Sequence, residues 1–288
     1  MSKVGIVVLN YNDYRETREY VDKIKKFRVL NEIVLVDNKS TDASYEVLKR
    51  MEKSNITTLE SDSNKGYAYG NNVGIKYLQD KVDYIIISNS DVELEEKVIK
   101  KLKEDLDNNE DIALIGPIID QDGEKIKGWR LPKVSDEIRL NLSSFDRLYD
   151  KKLIYDEKRY GDDLTKVDVV HGCFFMVRSD ALRLIGNLDD STFLYYEENI
   201  LAIKLKNANK KSYIDNTVEV KHVGSTTVDS NYNRIAKYKM IKNSQKYYVK
   251  QYLHANVFEM FILRFIYRIR LIFAYIGDFF KKIFKKKK

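Results

Sequence analysis

A chain of 288 residues allows one large domain, or one domain with an appendage, and can bury a sizeable core. A hydrophobic content of 43% is ordinary for a globular protein, so disorder is not the expectation, and a single cysteine, Cys173, excludes an internal disulfide framework or a cysteine-built zinc cage and fits a reducing compartment. The net charge of +7 belongs to the tail: six lysines beyond position 280 account for six of those charges, so residues 1–280 carry about +1 and no nucleic-acid face is expected on the body.

In chain order, "VGIVVLN" (4–10) reads as a first buried strand; it is too short for an export core. An amphipathic helix from Asp13 to Phe27 follows, then a second strand, "EIVLVDN" (32–38), and a helical pattern from Thr41 to about Lys53. "ITTLES" (56–61) is a third strand. A helix from Ala68 to Gln79 leads into "YIIIS" (84–88), and another covers Glu95 to Asn108. Short apolar strands alternating with helical runs predict a mostly parallel, doubly wound sheet with helices on both faces, whose ligands bind at the carboxyl ends of the strands. Further on, "IALIGPII" (112–119) and "VDVVHGCFFMV" (167–177) are strand candidates, with a polar insertion or lid at about 120–165 between them. Helices are expected at Ser179–Ile185 and Glu197–Lys206, strand plus loop at 212–225, and helix beyond Asp229.

The usual phosphate signatures are missing. There is no G-x-G-x-x-G after the first strand and no G-x-x-x-x-G-K-[ST], so a dinucleotide or P-loop site is not expected. Polar groups gather at strand ends instead: Asn10-Tyr11-Asn12 after the first, Asp37-Asn38 after the second, Asn89-Ser90-Asp91 after the fourth. Three such ends on one sheet edge define one crevice.

The ordered segments "VVLNYN", "VDNKSTD", "NKGYAYGNNVGI", "SNSD", "FLYYEEN" and "VKHVGS" resemble family 2 glycosyltransferases with the GT-A fold, in particular a bacterial rhamnosyltransferase-like branch that builds cell-surface polysaccharides. The likeness runs through about residues 3–225. It implies an α/β domain over 1–228 with a C-terminal helical segment, 229–288. It also implies that Asn89-Ser90-Asp91 stands where these enzymes carry an acidic "DxD" element, with Asn in place of the first acid. A departing nucleoside diphosphate gains negative charge, and a divalent cation neutralises it. Mg²⁺ or Mn²⁺ needs few protein carboxylates beside the phosphates, so Asp91 can suffice, with His222 as a second metal contact. Helix capping is the bland role for Asp91. By the same resemblance Asp37 contacts the base, Asn10, Tyr11, Asn12 and Asn38 contact the nucleotide, and Asn64, Lys65, Gly66 and Asn72 lie near the sugar or diphosphate. Ser90 approaches the ribose, and Arg130 belongs to a loop near the diphosphate or acceptor.

An inverting transfer also needs a base opposite the leaving group. Glu198 occupies the family's base position, normally an Asp, with Glu197 as the alternative and Ile200 where another acid is common. The role of both carboxylates without catalysis is to begin a helix. The implied function is transfer of a sugar, rhamnose among the choices, from a UDP- or dTDP-linked donor to a glycan or lipid-linked acceptor. The alternative is a non-catalytic nucleotide-sugar-binding subunit.

The last segment, 256–288, is apolar and basic together. Arg264, Arg268, Arg270 and Asp278 interrupt every window long enough to span a bilayer. An in-plane amphipathic helix on the inner face of the plasma membrane, or a contact between copies of the chain, is expected there.

Overall fold

β-branched runs buried on both faces build the centre of the molecule. In this computed structural model, which describes residues 1–143, 151–161, 163–224 and 232–285, strands β1 (Val4–Asn10), β2 (Leu30–Asp37), β3 (Ile56–Glu60) and β4 (Tyr84–Ser88) pair in parallel in the order β3-β2-β1-β4. Every residue of β4 is buried, which requires helices on both sides. Helix α1 (Tyr14–Ile24) turns Thr17, Tyr20, Val21 and Ile24 inward at helical spacing. The helix expected to begin at Thr41 is shorter, α2 (Ser44–Lys49), and α3 (Tyr67–Leu78) follows β3.

The second half of the sheet is mixed rather than mostly parallel. After the two-residue β5 (Val92–Glu93) and helix α4 (Glu96–Asn108) come β6 (Ile112–Gln121), β7 (Glu124–Ile126) and helix α5 (Val134–Ser143). The apolar run 167–177 is not one strand. It divides into β8 (Leu164–Val167) and β9 (Phe174–Arg178), with Asp168 to Cys173 as a loop between them. Helices α6 (Ser179–Leu184) and α7 (Glu197–Asn207) precede the long β10 (Lys211–His222). The ten strands form one sheet, continuing β4-β9-β6-β10-β5, with β7 on β6 and β8 on β10.

Strand direction fixes the site. Because β9 runs against both β4 and β6, and β10 is parallel to β6, the carboxyl ends of β1, β2, β4, β6 and β10 share one rim. The start of β9 lies on that rim too, with Phe174 opposite Ser88. The stretch expected to be a lid contributes β7 and α5, and α5 packs beside the C-terminal helices.

Those helices are α8 (Arg234–Gln251) and α9 (Val257–Lys285); the expected 228/229 boundary lies outside the described residues. Tyr196 and Ile200 share a buried cluster with Ile241, Tyr248, Val249, Met260 and Leu263, so α8 and α9 close over the start of α7. Tyr267 of α9 stacks on Tyr238 at 5.7 Å. The opposite side of α9 is apolar and bare: Phe258, Phe261 and Phe265 are 70%, 62% and 54% exposed, and the stripe continues through Ile272 and Ile276. Among the described residues, no helix is long and apolar enough to cross a membrane.

Candidate active site

The shared rim opens into a crevice of about 300 Å³. Of the residues singled out in the sequence, Asn10, Tyr11, Asn38, Asn64, Gly66, Asn89, Ser90, Asp91, Glu197, Glu198 and His222 line it. One wall is tied together by amides. The Asn38 side-chain N–H donates to Asn64 Oδ1 and to the Gly66 carbonyl, both at 3.1 Å, and its oxygen accepts from Ser61 Oγ. Gly66 sits at φ +112°, and a Cβ there would fall 2.0 Å from the Phe193 carbonyl oxygen, so only glycine fits. The next amide, of Tyr67, donates to that same carbonyl at 2.9 Å.

Asp91 follows β4 and is met by His222 from the end of β10. The β5–β10 pairing sets His222 opposite Val92, and the Val223 amide donates to the Asp91 carbonyl at 3.0 Å. His222 Nε2 lies 3.2 Å from Asp91 Oδ2, with both side chains nearly buried. The contact is an ion-pair distance off hydrogen-bonding geometry: Asp91 Oδ1 and both His222 ring nitrogens are buried without hydrogen-bond partners among the described residues. Buried polar atoms left unmatched are costly and ask for a ligand. His171, Cys173 and His222 also offer ligand atoms within 4.8 Å of one another. Burial and the nearby His222 push His171 down to about 3, so it is neutral, and its Nδ1 already accepts the Cys173 amide. The Cys173 thiol is pushed well up by burial, Asp91 and Glu198.

Across the crevice, α7 begins with Glu197 and Glu198. Burial, then the neighbouring Glu198, raises Glu197 to about 8. Burial raises Glu198 as well, opposed by its own amide and that of Gly172. A Cβ on Gly172 would stand 2.7 Å from Glu198 Oε1, so the absent side chain makes room for the carboxylate. Just before the pair, Tyr195 and Tyr196 both have φ of +73°, a left-handed backbone that costs an aromatic residue on the order of 1–3 kcal/mol.

Other expected residues stand outside the crevice lining. Asp37 is fully buried beneath its floor, where Oδ1 accepts from Asn10 Nδ2 at 2.9 Å and Ser40 Oγ at 2.6 Å, and Oδ2 accepts from the Ser40 amide at 2.9 Å. Asn12 accepts from the Thr41 amide at 2.7 Å. Asn72 and Leu188 exchange a reciprocal pair of hydrogen bonds at 2.9 and 3.1 Å. Lys65 lies over the Tyr69 ring, and Arg130 pairs with Asp136 at 3.2 Å. Sequence reading missed Tyr67, whose hydroxyl donates to Asn89 Oδ1 and the Gly172 carbonyl at 3.2 and 3.0 Å, joining two walls. It also missed Gly172, hidden in an apolar run, and Phe193, which opens the segment quoted for Glu197 and Glu198.

Residues 5–186 match the sequence profile described as glycosyl transferase family 2. The low-salt glycan biosynthesis hexosyltransferase Agl10 of Haloferax volcanii is 25% identical over 201 residues, 69% of this chain; the chain spans 60% of that relative's length. In shape the chain is similar to GalNAc-T7, solved with UDP, GalNAc and Mn²⁺ (TM-score 0.63, 15% identity, 93% of this chain and 55% of that one). It is also similar to the mannosyltransferase PcManGT of Pyrobaculum calidifontis, solved with GDP-Man and Mn²⁺ (TM-score 0.56, 14% identity, 92% and 74%).

Proposed function

Because the chain belongs to glycosyl transferase family 2 and has the GT-A fold, we propose that it is an inverting hexosyltransferase. It moves a sugar from a UDP- or dTDP-linked donor, rhamnose first among those to test, to a hydroxyl of a glycan or lipid-linked acceptor in surface-polysaccharide synthesis. One observation carries the reading: unmatched Asp91 and His222 atoms and the Glu197–Glu198 pair face a single crevice.

Asp91 and His222 fit a hard divalent cation, Mg²⁺ or Mn²⁺, better than a neutral buried thiol does, and the diphosphate completes such a site. A cation held by Asp91 and His222 would supply positive charge to stabilise the negative charge that grows on a departing diphosphate. Asn10 and Tyr11, with Asn38 and Asn64 on the adjoining wall, hold the nucleotide. Asp37 works from beneath by fixing the Asn10 amide, and Ser90 faces the ribose. Glu198 takes the acceptor proton, because the Gly172 amide favours its ionised form while Glu197 holds a proton to about pH 8. Acceptor and donor held in line supply the rest of the rate.

A panel of radiolabelled UDP- and dTDP-sugars with Mg²⁺ or Mn²⁺ is expected to show transfer from one donor, and the matching nucleotide to raise the melting temperature only with the cation. Nucleotide-dependent stabilisation with no turnover of any donor would mark a donor-binding subunit instead.

The bare apolar side of α9 and the lysine tail support a position on the cytoplasmic face of an anionic membrane, the surface from which a lipid-linked acceptor would be reached. Since the other side of α9 belongs to a buried cluster, the test is substitution rather than truncation. Phe258→Ser, Phe261→Ser and Phe265→Ser together are expected to abolish flotation with anionic vesicles, at roughly tenfold or more in affinity per ring. Undiminished flotation rejects the membrane role, and a dimer that dissociates in the triple variant assigns the face to a second copy.

A further inference from the structure

The turn that presents the carboxylate pair is fastened from behind by groups that face no substrate. Glu137 of α5 is buried, and its Oε2 accepts from the Tyr196 hydroxyl at 2.6 Å and from Gln245 Nε2 of α8 at 2.5 Å. Asn141 Nδ2 donates to Gln245 Oε1 at 2.8 Å and completes the chain of bonds between the two helices. Lys242 of α8 is buried nearby and attracted to Glu137. Two more contacts from α8 and its end grip the same loop: Ser244 Oγ donates to the Leu194 carbonyl at 2.7 Å, and the Tyr247 hydroxyl to Asp189 Oδ2 at 2.9 Å.

A buried carboxyl is costly unless its surroundings are built for it, and apolar packing alone would close this corner more cheaply. The bonds converge on Tyr196, the second of two consecutive left-handed aromatic residues and the immediate neighbour of Glu197 and Glu198. Such a backbone persists only where surrounding contacts over-determine it. None of Glu137, Tyr196 and Gln245 lines the crevice.

We propose that Glu137, acting with Tyr196 and Gln245, is a positioning centre for sugar transfer: it clamps the strained turn so that Glu198 meets the acceptor hydroxyl, and it touches neither substrate. The inference rests on Glu198 as the base. It makes α5 and α8 part of the catalytic apparatus, although α8 lies beyond the segment that matches the family.

Tyr196→Phe, which removes only the hydroxyl, is expected to lower kcat by about tenfold or more while donor KM stays within about twofold. Glu137→Leu lowers it further, and Glu137→Gln, which keeps an oxygen for the Tyr196 hydroxyl, recovers most of the loss. Hydrogen exchange of the 193–198 amides rises in Tyr196→Phe, with the nucleotide-induced melting shift unchanged. Wild-type kcat in Tyr196→Phe, a donor KM that rises in step with the loss, or unaltered exchange over 193–198 overturns the proposal. The exchange measurement needs no turnover, so it decides the clamp even if no donor is ever transferred, an outcome that would sink the transferase reading alone.

Discussion

Glu198→Gln is expected to lower kcat by about 10²–10⁴-fold with donor binding retained, because the amide fills the same space against Gly172 but cannot take a proton. The wild-type profile gives the same assignment a second test. Burial raises Glu198, and a base acts only when ionised, so kcat falls as pH drops through a value above the ordinary carboxylate range. Glu197 leaves its own trace in stability. Its folded pKa of about 8 exceeds the unfolded value, so the folded chain keeps a proton that the unfolded chain releases. The stability this contributes is full below about pH 4.5 and is lost as pH rises to about 8. Glu197→Gln is therefore expected to flatten the decline in melting temperature between pH 5 and 9. If Glu198→Gln turns over normally and Glu197→Gln does not, the roles are exchanged.

Asp91→Ala is expected to cost at least about 100-fold in kcat/KM and to abolish the cation-dependent part of nucleotide stabilisation. The substitution removes the carboxylate whose Oδ2 lies 3.2 Å from His222 Nε2 at the rim, and with it the negative charge proposed to hold the cation. Asp91→Asn keeps an oxygen of the same reach without its charge, and retention of more activity than in Asp91→Ala would separate electrostatic from geometric loss. Full cation-dependent stabilisation in Asp91→Ala would remove Asp91 from the metal site.

The parallel half was legible because its signals are local. β1 and β4 coincide with the runs read from the sequence, and α3 and α4 fall within one residue of expectation, since each pairs apolar periodicity with a polar stop. Asn89-Ser90-Asp91 and the Glu197–Glu198 pair were visible for a related reason: polar groups that interrupt or end apolar runs stand out. The rest was hidden where tertiary structure overrides pattern. Helix α5 escaped because Asp136, Glu137 and Asn141, polar in sequence, are buried in the fold. The 167–177 run concealed a loop because Val169, Val170 and Cys173 are buried without belonging to a strand. The hydrogen bonds of Asp37 to Asn10 and of Asn72 to Leu188 join segments far apart in the chain, which no local spacing encodes.

β10 is the last of the described strands in chain order but not an outer one: it lies between β6 and β5, and β8 also pairs with it. The pairing of β5 with β10 is what sets the His222 imidazole beside Asp91. The Asp91–His222 pair at the rim therefore exists only where β10 has taken its place between β6 and β5, which ties the proposed cation site to completion of the sheet.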